Sequence, residues 1–337
     1  MLLKKDSAPI LNLALQGGGA HGAFTWGVLD TLLADGRFDF EGVSGTSAGA
    51  MNAICLAQGL LDGGYESARQ MLSTFWHKIA ETSSPWANII GSQHASPAMR
   101  MMLKWTPHFS PEQFNPMDIN PVRDVLEELI DFNALRRHSP VKLFIAATHA
   151  NSGKVRIFKN EELSVDALLA SACLPEISHT VMIDGEPYWD GGFSANPAIF
   201  PLFWDCDASD ILAILLTPLR YHATPLTASD IKTRLLEIAF NSTYLREMRM
   251  FAHLIDELNK ISVPSWKFER RLRRIHFHAI SAGDVLENLP IDSKLAVNLP
   301  FFERLKSEGQ QMAKEWLNEH FDKVGKESSL NLAELYY

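Results

Sequence analysis

Val43-Ser44-Gly45-Thr46-Ser47-Ala48-Gly49-Ala50 is the stretch on which the reading of this sequence turns. Phe38 to Val43, with Phe38, Phe40 and Val43 apolar, enters it with the character of a short strand. Ala48, Ala50, Met51, Ala53, Ile54, Leu56 and Ala57 leave it as a helix that is apolar nearly all round, the mark of a buried helix. Between the two, Gly45-Thr46-Ser47-Ala48-Gly49 fits G-x-S-x-G. A serine on a sharp strand-to-helix turn projects its hydroxyl clear of a sheet, and small neighbours let the backbone turn tightly. The helix N-terminus behind it offers partial positive charge to a developing oxyanion. The competing reading is a glycine-rich helix cap, a frequent use of serine. The strand before it and the helix after it favour a nucleophile.

Working upstream, Leu11 to Leu15 is a buried-strand candidate stopped by Gly17, Gly18 and Gly19. Phe24, Val28, Leu29, Leu32 and Leu33 then recur with helical spacing, and Gly36 is a C-terminal stop. The order strand, helix, strand, helix predicts an α/β fold with a mainly parallel sheet. Gly17-Gly18-Gly19-Ala20-His21-Gly22 also matches G-x-G-x-x-G, so two chemistries compete there. A dinucleotide cradle requires an acidic residue at the end of the second strand, about 20 residues on. Asp39 and Glu41 stand near that distance but precede the strand end, and the strand runs into the serine turn instead. A three-glycine turn can also aim backbone N–H groups at one spot, because no Cβ blocks the approach. The oxyanion reading of Gly17, Gly18 and Gly19 is therefore preferred, and no cofactor is expected.

Downstream, Tyr65 to Ala80 reads as an amphipathic helix, Val122 to Ile130 as a short helix, and Val141 to Thr148 as a strand with Gly153 to Phe158 as hairpin partner. Ser164 to Ala172 is a helix. Val181 to Ile183 and Tyr188 to Trp189 flank a turn at Asp184-Gly185. Ile211 to Leu216 and Arg274 to Ile280 are strands, and Ser229 to Lys260 and Phe301 to Val324 are helices. A serine nucleophile needs a base. Asp190-Gly191-Gly192 puts a carboxylate on a tight turn after a strand, although taken alone it reads as an ordinary turn.

Gly17 to Phe24 (GGGAHGAF), Gly45 to Ala50 (GTSAGA), Leu168 to Pro175 (LLASACLP) and Trp189 to Pro197 (WDGGFSANP) together resemble the patatin-like phospholipases, of a soluble bacterial type, over about residues 11 to 205. The resemblance implies a three-layer α/β/α fold, here with a helical C-terminal extension, and a Ser–Asp dyad without histidine. By position, Ser47 matches the nucleophile and Asp190 the base. Gly17, Gly18 and Gly19 match the oxyanion loop, with Gly22, Gly45, Gly49, Gly191 and Gly192 supporting the motifs. The implied substrate is a lipid or other acyl ester, cleaved through an acyl-enzyme in the manner of a phospholipase A or lysophospholipase. A thioesterase or acyltransferase would use the same dyad. Many members carry Arg or Lys where His21 stands, so a fixed positive charge is replaced by a group expected to titrate near neutrality. The expected organisation is a catalytic domain over residues 11–205, with residues 206–337 completing the α/β fold and packing on the same domain.

The remaining features bound the answer. The 337-residue chain carries a formal charge of −9, which argues against general nucleic-acid binding. Cys55, Cys173 and Cys206 form no C-x-x-C pair. No H-E-x-x-H spacing exists, so no metal is expected, and the cysteine usage fits a reducing, cytoplasmic setting. The apolar run Ile10 to Leu15 is too short for a signal segment, and no stretch approaches the roughly 20 apolar residues of a spanning helix. Peripheral membrane contact stays open. Lys267 to Arg274 carries five cations and one Glu, reading either as a solvated face or as a headgroup contact. Trp86 to Phe114, rich in Met and aromatics, reads as an acyl pocket, a lid or a segment packed on the core. His276 and His278 follow Ser47 and Asp190 in triad order, but they read more simply as one face of an edge strand. The apolar tail Leu332 to Tyr337 closes its own core or packs in trans, which leaves an oligomer open.

Overall fold

The structure, a computed structural model, describes residues 8–82, 110–260, 266–287, 289 and 291–337. The chain opens with β1 (Ile10–Leu15), α1 (Gly22–Asp35), β2 (Asp39–Thr46), α2 (Ala48–Gly63) and α3 (Tyr65–Thr82). It continues with α4 (Pro121–Leu129), α5 (Phe132–His138), β3 (Lys142–His149), β4 (Val155–Lys159) and α6 (Val165–Ser171). There follow β5 (Val181–Ile183), β6 (Glu186–Asp190), α7 (Phe200–Asp205), β7 (Asp210–Leu215), α8 (Ala228–Asn259), α9 (Lys267–Leu272), β8 (His276–Ser281), α10 (Leu299–His320) and α11 (Leu332–Tyr336).

The strands form one eight-stranded sheet in the order β5-β6-β3-β2-β1-β7-β8, with β4 also paired to β3. β3, β2, β1, β7 and β8 run parallel, and β4, β5 and β6 add antiparallel pairs at one side. Side chains of a strand alternate between faces. Leu11, Leu13 and Leu15 accordingly enter one core, with α1, α2, α3 and α10, while Ala14 enters the other, with α7, α8 and α11. Burial on both faces explains why these strands read as continuous apolar runs. The result is the expected three-layer α/β/α arrangement with a helical C-terminal region. β7 and β8 extend the same sheet beside β1.

Local signals became local structure where they were strong. Gly36 ends α1 in the left-handed conformation, with φ 70°. Asp184 and Gly185 turn the β5–β6 hairpin with φ 52° and 82°, the signs a tight two-residue hairpin turn needs. The strand expected over Phe38 to Val43 runs on to Thr46 as β2. Ser44 pairs with Ala14 and Phe144, and Gly45 with Leu15 and Ile145, so both neighbouring strands hold it extended. The whole change of direction falls on Ser47. The tail folds back as α11, where the Tyr336 hydroxyl shares a 2.7 Å hydrogen bond with that of buried Tyr244. Most of the segment from Trp86 to Phe114 falls outside the described residues.

Candidate active site

Parallel pairing of β1 with β2 puts Leu15 beside Gly45. The glycine turn after β1 and the serine turn after β2 therefore emerge side by side. Asp190 ends β6, across β3 from β2: Thr46 pairs with Ala146, and Asp190 with Ala147. Two strand spacings, about 9.6 Å, would separate the backbones. Beyond Asp190 the chain turns back over the end of β3, with Gly191 against the Ala146 carbonyl and the Thr46 methyl. The Thr46 hydroxyl donates to the Ala195 carbonyl at 2.7 Å. Asn196 then reaches the glycine turn, where its Oδ1 accepts the Gly17 N–H at 2.7 Å.

Ser47 has φ 53° and ψ −123°, a conformation L-residues avoid. Its backbone is fully engaged: the N–H donates to the Ser171 hydroxyl at 2.9 Å, and the carbonyl accepts from Ala50 and Met51 in the first turn of α2. Its hydroxyl faces the Asp190 carboxylate and favours the ionised form. Asp190 is 1% exposed, and its Oδ1 accepts the Gly192 N–H at 2.7 Å. Burial raises its pKa to about 7, and the charge of Glu176 adds slightly; the Gly192 hydrogen bond and the Ser47 hydroxyl oppose the rise without cancelling it.

A Cβ on Gly17 would stand 2.7 Å from the Thr46 carbonyl oxygen and 2.8 Å from the Ser47 Cβ, so only glycine lets the two turns touch. Since the Gly17 N–H is committed to Asn196, the Gly18, Gly19 and Ala20 amides of this loop have no acceptor among the described residues. Gly22 opens α1, Gly45 lies at the end of β2, Gly49 in the first turn of α2, and Gly191 and Gly192 in the turn after Asp190. Ser171, Asn196, Gln16 and Asn241 received no role from the sequence. Gln16 donates to the Asn196 carbonyl at 3.1 Å and to Asn241 Oδ1 at 3.2 Å, tying β1, the Asp190 loop and α8 together. Ser171 and Asn196 stand inside two of the quoted motifs, which is the clue that pointed to them.

One expectation about histidine changes and another holds, since His276 and His278 do lie on an edge strand. His21 is 3% exposed and hydrogen-bonds Ser293 through Nε2 at 2.7 Å. Burial, then the Lys294 ammonium, pushes its pKa down to about 3, so it is neutral rather than titrating near neutrality. His276 and His278 lie on edge strand β8 at the opposite end of the sheet from Ser47. There His278 Nε2, His276 Nδ1 and the Gly325 N–H converge on Asp210 Oδ1 at 3.0, 3.2 and 2.8 Å. The triad order is thus not a triad in space. A cavity of about 750 Å³, bordered by Ile10, Glu41, Arg136 and Lys142, opens at that same far end. A smaller one of about 360 Å³ is lined by Leu169, Ala172, Cys173 and His179, and the Cys173 carbonyl accepts the Asp190 N–H.

The sequence model of the patatin-like phospholipases matches residues 13–203, more than half of the chain, with both touching turns inside it. The chain belongs to the patatin-like phospholipase family. That family is one of lipid hydrolases, and lipid hydrolysis is the activity the membership supports. Among solved structures, VipD from Legionella pneumophila aligns at 16% identity over 98% of this chain and 73% of its own, with a TM-score of 0.46. The ExoU–SpcU heterodimeric complex from the type III secretion system of Pseudomonas aeruginosa aligns at 15% identity over 94% and 78%, with a TM-score of 0.27. No curated protein matches the chain. No helix among the described residues of this patatin-like chain is long and apolar enough to cross a membrane.

Proposed function

We propose that the chain is a serine lipid acyl hydrolase of phospholipase A or lysophospholipase type, with Ser47 as nucleophile and Asp190 as base. The observation that carries this reading is that the Ser47 hydroxyl faces a buried carboxylate whose pKa is raised to about 7, near the pH at which it must work. Asp190 takes the hydroxyl proton as Ser47 Oγ attacks the ester carbonyl. The oxyanion is received by the Gly18 and Gly19 N–H groups and by the N-terminal field of α2, a 16-residue helix that begins at the next residue. The proton passes to the departing alcohol or lysolipid. A water deprotonated by Asp190 then attacks the acyl-serine, the fatty acid leaves, and Ser47 regains its proton. One oxyanion donor is worth about 2.7–4 kcal/mol in serine hydrolases, so the glycine loop should rank close to the dyad.

In this reading residues 11–205 hold the chemistry and residues 206–337 complete the sheet and wall the site. Three buried free thiols accord with a reducing cytoplasm. A fluorophosphonate probe is expected to label the wild-type chain and not Ser47→Ala. Asp190→Asn is expected to abolish turnover of p-nitrophenyl esters. A folded Asp190→Asn chain with near-normal turnover would remove the dyad.

A further inference from the structure

The mouth of the site is bounded by α8. Phe240 on this helix lies against Gly192, its ring centroid 4.6 Å from that of Phe193. One turn earlier stands Glu237, which faces two cations: Arg234 Nη1 lies 3.6 Å from its Oε2, and Lys294 Nζ lies 4.0 Å from its Oε1. Tyr221 stands beside the same carboxylate, and the Arg234 guanidinium lies 3.8 Å above the Tyr221 ring. The Lys294 carbonyl packs against Gly19 too closely for any Cβ there, so this ammonium springs from beside the candidate oxyanion donors.

Two cations share one carboxylate, which leaves the cluster with one net positive charge. Both separations exceed the 2.7–2.9 Å typical of a charge-assisted hydrogen bond, so Glu237 satisfies neither cation fully. Neighbouring His21 is neutral and adds no further charge. Desolvation lowers the Lys294 pKa, with Glu237 opposing only in part. A partly dehydrated, under-paired ammonium beside an ester-cleaving site is complementary to a singly charged anion. Leu226, Ile231, Leu235 and Ile238 are exposed beside it, the last three at positions i, i+4 and i+7 of α8, and Leu226 is 86% exposed. Free phosphate has no use for such a stripe, whereas a lipid carries its phosphate next to hydrocarbon.

We propose that Lys294 and Arg234 receive the phosphate of a phospholipid headgroup, with the apolar stripe of α8 turned to the acyl region of the same lipid. This rests on the lipid-hydrolase reading above, and it is tested by binding rather than turnover so that the two can fail separately. The full chain carrying Ser47→Ala is titrated calorimetrically with monomeric dihexanoyl phosphatidylglycerol, with dihexanoylglycerol and with inorganic phosphate. Adding Lys294→Gln should weaken the phospholipid about tenfold and the neutral diacylglycerol less than twofold, and Lys294→Arg should restore the phospholipid. Glu237→Gln, which removes the competing carboxylate, should tighten phospholipid binding at least twofold, an effect no structural role of Glu237 produces. Equal weakening of both lipids by Lys294→Gln, or weaker phospholipid binding in Glu237→Gln, would overturn the assignment. Inorganic phosphate binding as tightly as the phospholipid would overturn the lipid as its source.

Discussion

Asp190 is asked to be both buried and ionised, and the cost of that can be read in two opposite pH dependences. Its pKa rises from 3.8 to about 7, chiefly through burial. At pH 5 a carboxylate titrating at 7 is about 1% ionised, whereas one titrating at 3.8 would be about 94% ionised. In the proposed mechanism only the ionised form accepts the Ser47 proton, so kcat/KM at pH 5 should be about a hundredth of its plateau value, with the acid limb centred near pH 7. Stability runs the other way. Between pH 3.8 and 7 the unfolded carboxyl has lost its proton while the folded one keeps it. The folded state therefore binds more protons, and stability falls as pH rises through this window and levels off above 7. Between pH 5 and 8 the loss from this one group is about 2.7 kcal/mol. Urea titrations of wild type and Asp190→Asn at pH 5, 6, 7 and 8 isolate it, because the other groups cancel in the difference. The variant should be the more stable at pH 8, with the gap closing by that amount toward pH 5. An acid limb near pH 4, or a gap that does not change with pH, would refute the burial argument.

Other perturbations test the supports of the site. Gly17→Ala forces a Cβ into the Thr46 carbonyl and the Ser47 side chain; esterase assay and urea titration should show at least a hundredfold loss of kcat and about 1–3 kcal/mol of stability. Ser171→Ala strips the Ser47 N–H of its acceptor, and should lower kcat about tenfold with about 1–2 kcal/mol of destabilisation, both restored by Ser171→Thr if the hydroxyl is what matters. His278→Ala breaks the cluster on Asp210 at the far end of the sheet; it should cost about 2–3 kcal/mol in chemical denaturation while kcat/KM stays within twofold, and a catalytic collapse would return His278 to the mechanism.

The sequence made the first 60 residues legible because strand, glycine turn and helix alternate there with unmixed signals, and each run is buried on every side. Leu11, Leu13 and Leu15 became the alternating face of β1, and Ser47 became the point where β2 hands over to α2. What pairing statistics along a chain do not carry is the crossing of β3 by the loop after Asp190. Nothing adjacent to Asn196 announces that its side chain will hold Gly17, 179 residues earlier in the chain. The same holds for Lys294, which meets Gly19 only once α10 has packed beside α1. Short α5, α7 and α9 went unforeseen because six or seven residues give too little periodicity to separate a helix from a loop. His21 was misjudged because solvent access, not residue type, decides whether an imidazole titrates.

The conformation of Ser47 has a consequence for the history of such a chain. Its backbone sits where glycine would rest without strain of about 1–3 kcal/mol, and the neighbouring carboxyl would be more comfortable as an amide. Under the proposed mechanism both replacements that would end the chemistry are therefore ones the fold welcomes. A duplicate copy released from selection for turnover would drift toward silence while growing sturdier, and inactive descendants of this architecture should be recognisable as its more robust ones.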